Sequence, residues 1–268
     1  MVEAGATTTG SARRQAQLWG RAAQDWAEHA EGLMSAYFTQ VLEQLEVGPG
    51  VRLLDIGCGS GVAAAIAADR GAEVHGLDAV PEFVAYGRKR VPQAQFVQGE
   101  MEALPYPDDT FDVVTGFNSF QYAADPVHAL VEARRVTRTG GSIMITTWGR
   151  PAHVDMAAIM RAVAALLPPA PPGAPGPFAL SEDGALAALA RRAGLQPRHG
   201  DSLTDAWDFP DLEMLLRCTL SAGVMTPALE VAGEARVREA ITAAVAPFRR
   251  EDDSYHLESE FTYLIARA

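Results

Sequence analysis

The chain has 268 residues, 48% of them hydrophobic and 21% charged, and its 34 acidic against 22 basic residues give a formal charge of −12. That is the profile of a soluble globular protein whose surface repels phosphate backbones, so nucleic acid and anionic membranes are excluded as first partners. No apolar run approaches the roughly 20 residues of a membrane span, and two cysteines, Cys58 and Cys218, are too few for a disulfide framework or a cysteine-built metal site.

The first residues, MVEAGATTTGSA, carry no apolar core of a secretory signal, so the expectation is a disordered tail over 1–12 and a cytoplasmic protein. From Ser11 to Leu45, apolar residues recur at three- and four-residue steps, which predicts one or two amphipathic helices. Trp19 and Trp26 are seven apart and share a helix face; they are either amphipathic core or part of a lid. After Gly48-Pro49-Gly50 a strict alternation of strand and helix begins. VRLLDI is a continuously apolar strand, as in the buried centre of a parallel sheet, and VAAAIAADRG is a helix closed by Gly71. EVHGLD, AQFVQGE, FDVVTGFNS and GSIMITTWG supply four further strands. Between them lie PEFVAYGRKR, with proline at a helix start, and DPVHALVEARRVTRTG, with Asp125 as N-cap and Gly140 as stop.

Beyond Trp148 the alternation ends. A helix over 154–167 runs into PPAPPGAPGP, a stiff linker or lid, followed by a helix capped by Ser181. GLQPRHGDSLTDAWDF reads as a strand, two helical stretches cover 211–223 and 227–246, and EFTYLIARA is the last strand. The fold class expected is α/β: a doubly wound sheet whose final two strands pair at one edge, the last antiparallel, with an N-terminal helical lid and a helical insertion. The organisation expected is a lid over 13–48, a ligand-binding core over 49–150, and a remainder over 151–268 carrying substrate-covering helices.

The chemistry concentrates in LLDIGCGSG. A triphosphate loop of the G-x-x-x-x-G-K-[ST] kind needs a lysine that is missing here. The dinucleotide pattern G-x-G-x-x-G fits at Gly57 and Gly59 but meets Val62 at its third glycine, which weakens it. The third pattern, Asp55, Gly57, Gly59 and Gly61, puts a carboxylate beside the loop, which suits an ammonium group and repels a pyrophosphate. S-adenosylmethionine combines an amino-acid end with a nucleoside end. Asp78 closes the second strand, where a carboxylate can take the ribose hydroxyls; NAD would use it equally. At the end of the third strand, Glu100 or neighbouring backbone could reach the adenine amino group, and Met101 could lie against the ring.

LLDIGCGSG, GLDAVPEFV, GEMEALPYPDDTFDVV and ARRVTRTGGSIMIT, in that order, make residues 50–150 resemble a class I S-adenosylmethionine-dependent methyltransferase of the type 11 subgroup, similar to ubiquinone and menaquinone C-methyltransferases. The resemblance implies a Rossmann-like sheet of seven strands with an antiparallel last strand, and S-adenosylhomocysteine as product. Where aspartate is usual in that family, Glu100 stands. The cofactor-contacting residues it suggests are Asp55, Gly57, Cys58, Gly59, Gly61, Asp78, Ala79, Glu100, Met101, Glu102, Phe117, Asn118 and the lid residue Trp19. Gln121, Tyr122, Trp26 and Trp148 are candidates for the acceptor side, and His153 and His29 for a general base. No histidine and carboxylate spacing suggests a metal.

The function expected is in-line methyl transfer to an oxygen or carbon of a small, apolar or aromatic metabolite of secondary or quinone-like metabolism. An NAD-dependent reductase and a sulfonium-binding protein that catalyses another reaction, such as a cyclisation, remain open, as does a homodimer. The alanine- and arginine-rich, lysine-poor composition points to a high-GC bacterium.

Overall fold

The computed structural model describes residues 10–169 and 176–268. Seven strands form one sheet: β1 (Arg52–Ile56), β2 (Glu73–Asp78), β3 (Gln95–Gln98), β4 (Phe111–Gly116), β5 (Thr137–Trp148), β6 (Gln196–Phe209) and β7 (Tyr255–Arg267). Their order is β3-β2-β1-β4-β5-β7-β6. The first five run parallel, with Asp55 opposite Gly76 on one side and Thr115 on the other. Then β7 inserts antiparallel between β5 and β6, Ile145 facing Leu264. The expected edge pairing of the last two strands is therefore present, and β7 is longer than EFTYLIARA alone.

The helices in chain order are α1 (Ala12–Gly20), α2 (Ala23–Asp25), α3 (Ser35–Glu43), α4 (Val62–Asp69), α5 (Pro81–Arg90), α6 (Pro126–Val136), α7 (Met156–Ala164), α8 (Ala185–Arg192), α9 (Leu212–Ser221), α10 (Thr226–Ala232) and α11 (Glu234–Val245). Alternation along the strands feeds two cores, because successive side chains point to opposite faces. Leu53, Val113 and Met144 pack into the core that includes α3, α4, α7, α9 and α11; Leu54, Val114 and Ile143 pack with α6 and α8.

Three local expectations change. Within the span expected as a tail, Ser11 is buried and α1 starts at Ala12; residues 1–9 lie outside the described residues. Gly140 does not stop α6, which gives way to β5 at Val136; Gly140, at φ 77°, sits inside that strand, near where its register against β4 shifts. Ser181 does not cap α8. Its hydroxyl donates to the carbonyl of Trp148, and Gly184 occupies the cap position. Asp125 does cap α6, accepting from the backbone of Val127 and His128. Of the PPAPPGAPGP linker, residues 170–175 lie outside the described residues.

The N-terminal segment is helical but irregular. Between α2 and α3 the chain widens into a π turn over Trp26–Ala30 and then tightens into a 3-10 turn over Glu31–Met34. The Glu31 backbone N–H donates to the Trp26 carbonyl, five residues back. That spacing brings the Trp26 indole beneath its own capping acid, and such turns are frequent at functional sites.

Candidate active site

The chain reverses its winding direction between β1 and β4, and ligands of doubly wound sheets bind outside the strand ends at that point. Gly57 follows β1 and Phe117 follows β4 there. One large cavity opens above them, lined by the glycine loop, the ends of β2 and β3, the N-terminal segment, and residues of β6, α7 and α9.

The loop needs its glycines. Gly57, Gly59 and Gly61 have φ of 71°, 53° and 84°, a left-handed region costly for residues with a Cβ. A Cβ on Gly57 would stand 2.5 Å from that of Ser119, and one on Gly59 would stand 2.8 Å from a Glu31 oxygen. Gly61 serves packing: a Cβ there would meet Gly87 of α5 at 3.1 Å, and it does not face the cavity. Cys58 lies over Gly76, whose Cβ would be 2.9 Å from its Sγ, and burial raises its thiol well above the ordinary range. It lines the cavity as a small packed side chain.

Three buried carboxylates surround this loop. Asp55 accepts from the Thr115 hydroxyl at 2.7 Å, and burial pushes it up to about 7. Asp78 accepts from the backbone of Gly59 and Val80, both at 2.9 Å, and burial pushes it up to about 6. Glu31, absent from the sequence-derived candidates, is 4% exposed and raised by burial. Its oxygens accept from the backbone of Ser60 (2.7 Å) and Val62 (3.2 Å) and from the Trp26 indole (3.1 Å). A carboxylate of the N-terminal segment thus caps the N-terminus of α4. The pyrophosphate of a dinucleotide needs that helix terminus, and here it is filled by a group of its own charge.

At the far end of the same half, Glu100 is engaged as well. It accepts from the Ala12 backbone at 2.6 Å, the Ser11 hydroxyl at 3.3 Å and the Glu102 backbone at 3.1 Å. The acid expected to meet adenine therefore holds the start of α1. Glu102 turns away from the cavity and accepts from Ala124 at 2.6 Å.

The other half of the cavity is aromatic and sulfur-rich. Tyr37 stacks on Phe261 with centroids 4.3 Å apart, Phe261 stacks on Trp148 at 4.8 Å, and Trp148 meets Trp207 edge-on at 6.3 Å. Phe38 and Phe117 meet at 4.8 Å, and Met156, Met160 and Met225 complete the wall. Asn118 joins the two halves. Its φ of 47° is unusual for a side-chain-bearing residue, its backbone donates to Thr146 Oγ1 at 2.9 Å, and that hydroxyl donates back to Asn118 Oδ1 at 3.0 Å.

Of the candidates, Asp55, Gly57, Cys58, Gly59, Asp78, Ala79, Glu100, Met101, Phe117, Asn118, Trp19, Tyr122, Trp26 and Trp148 come together on the cavity wall. Gln121, Glu102, Gly61, His29 and His153 do not. His153 is exposed and pairs with Glu260 at 3.1 Å on the outer surface. His29 contributes its carbonyl to Cys218 Sγ and stays off the wall. Among the described residues no cluster of histidine, cysteine and carboxylates could hold a metal.

The seven-stranded sheet with its antiparallel β7 is a Rossmann-like fold. Residues 54–145 match the family model described as a methyltransferase domain. Over 111 residues the chain is 33% identical to demethylmenaquinone methyltransferase of Renibacterium salmoninarum, covering 41% of this chain and 47% of that one. It is 39% identical over 113 residues to malonyl-[acyl-carrier protein] O-methyltransferase of Halorhodospira halophila, covering 40% and 38%. The chain thus spans less than half the length of either curated relative. Among solved structures, the fold is similar to the [4+2]-cyclase SpnF (TM-score 0.56, 19% identity, 87% of this chain and 80% of that one). It is similar also to geranyl diphosphate methyltransferase in complex with SAM (TM-score 0.53, 17% identity, 87% and 84%). The cofactor that the family and the donor set imply is S-adenosylmethionine. Buried acids beside a glycine loop fit a ligand bearing sulfonium and ammonium charges.

Proposed function

We propose that the protein is an S-adenosylmethionine-dependent methyltransferase acting on an oxygen or carbon of a small, uncharged, apolar or aromatic acceptor. The observation that carries this reading is the two-part cavity: a carboxylate-and-glycine half meets an aromatic and methionine half at Asn118.

Bound S-adenosylmethionine supplies a methyl group already activated by a sulfonium. What is left to the protein is alignment and exclusion of water. Asp55, Asp78 and Glu31 offer negative charge to the cationic donor. Tyr37 and Trp148, each backed by the buried Phe261 ring, give the wall an aromatic, dry surface for an acceptor. No lysine, arginine or histidine of the described residues lines that wall, so an acceptor carrying carboxylate or phosphate finds no counter-charge there. The same absence favours an acceptor that brings its own nucleophile, an acidic hydroxyl or an electron-rich carbon, over one needing a histidine base.

The test is calorimetry with S-adenosylmethionine, S-adenosylhomocysteine and NAD, followed by turnover on neutral phenols, quinols and polyketides read by mass. Binding of the first two ligands and a product heavier by CH2 support the reading. Binding of NAD alone would overturn it.

A further inference from the structure

Glu100 stands at the end of β3, where the family places its adenine-reading acid, and its oxygens are committed elsewhere. Oε1 accepts from Ser11 and Glu102. Oε2 accepts from Ala12, and the chain at Gly10 lies so close that a Cβ there would fall 2.2 Å from it. A 6-amino group arriving at this end of the cavity would find Glu100 covered by the N-terminal segment.

One turn into α1, Gln15 also lines the cavity. Its Nε2 donates to the carbonyl of Tyr122 at 3.1 Å. A carbonyl accepts only, so this contact fixes which end of the amide is nitrogen. Oε1 is thereby turned the other way, buried, and without a hydrogen-bond partner among the described residues. A buried acceptor left unpaired costs stability, and a ligand donor that meets it recovers that cost. Trp19, Ala79, Val80 and Met101 line the same cavity. They offer flat apolar cover of the kind a purine needs.

We infer that Gln15 recognises the adenine of the methyl donor, its Oε1 accepting from the 6-amino group, while Glu100 fastens α1 over the site. Recognition of the base thus lies on the lid, and the donor's own adenine completes the lid's hydrogen bonding. The inference rests on the methyl-donor reading above.

The probes are S-adenosylhomocysteine and S-inosylhomocysteine, which differ at the 6-position: a donor amino group in one, an acceptor oxygen in the other. Calorimetry on the full chain should find the adenosyl compound bound at least about tenfold more tightly, since an acceptor facing an acceptor leaves both unpaired. Gln15→Met removes the acceptor at similar length, and the preference should collapse to about twofold or less. Gln15→Glu restores an acceptor and should restore the preference; thermal unfolding of both variants controls for folding. Glu100→Gln should weaken both ligands together and leave their ratio intact. A ratio that survives Gln15→Met, or that Glu100→Gln abolishes instead, would overturn the assignment. Failure of both ligands to bind the unaltered protein would overturn the methyl-donor reading itself, and this inference with it.

Discussion

Glu31 Oε2 accepts the backbone N–H of Ser60 at 2.7 Å, so a residue of the N-terminal segment closes the first turn of the helix that follows the glycine loop. Glu31→Ala would leave the N–H groups of Ser60 and Val62 and the Trp26 indole without that acceptor. The expected cost is about 2 kcal/mol of stability, with donor affinity reduced roughly tenfold because the N-terminal segment loses its anchor to the glycine loop. Chemical denaturation and calorimetry measure both. An unchanged affinity would separate Glu31 from donor binding.

Asp55 and Asp78 predict opposite pH trends for stability and binding. Burial raises both, to about 7 and about 6, above the ordinary carboxylate range. The folded state then holds protons that the unfolded chain has released. Their contribution to stability is fully present below about pH 4 and is lost as pH rises through 6 to 7. A cationic donor stabilises the ionised forms, so its affinity should rise over that same window. Asp55→Asn should stabilise the ligand-free protein at about pH 8 by roughly 1–3 kcal/mol and weaken S-adenosylmethionine about tenfold or more. The stability gain should shrink toward about pH 5; a gain independent of pH would refute the account.

Gly59→Ala tests the loop. The new methyl group must sit at φ 53° and 2.8 Å from a Glu31 oxygen. The expected loss is about 1–2 kcal/mol, with donor binding falling because the Gly59 N–H that orients Asp78 moves. Gly140→Ala is the reference, since Gly140 shares the positive φ (77°) but has open space around its Cβ position. It should show the backbone strain without the loss of binding.

His153→Ala should leave turnover within about twofold of the parent, because its ring is exposed on the outer surface, off the cavity wall, and its pair with the half-buried Glu260 contributes little there. A pH–rate profile that loses its limb near neutrality in this variant would restore the histidine as a base.

Most of the fold could be read from alternation and punctuation. Continuous apolar strands, Asp125 before Pro126 and Pro81 at a helix start each act within a few residues, so local sequence carries them. The glycine loop and Asp78 were legible for the same reason. Glu31 and Gln15 were not. Each matters through a contact with residues 29 to 107 positions away in the chain, and no spacing encodes that. The π turn that aims Glu31 was also invisible, because WAEHA carries no signal against an ordinary helix. His153 misled through its place after the fifth strand: proximity in sequence put it at the rim, and the Glu260 pair draws it outward. The aromatic half of the cavity is assembled from α3, the end of β5, β6 and α7, pieces far apart in sequence, with β7 inserted between β5 and β6.

The chain contains four tryptophans, and Trp19, Trp26, Trp148 and Trp207 all border the one cavity. Trp19 and Trp26 border the half that carries the glycine loop and the carboxylates, and Trp148 and Trp207 the aromatic half. The ultraviolet emission of this protein is consequently a local signal with no background from distant indoles. Events at the carboxylate end and at the aromatic end fall on different pairs of fluorophores, so single-tryptophan variants can time them separately without any attached label.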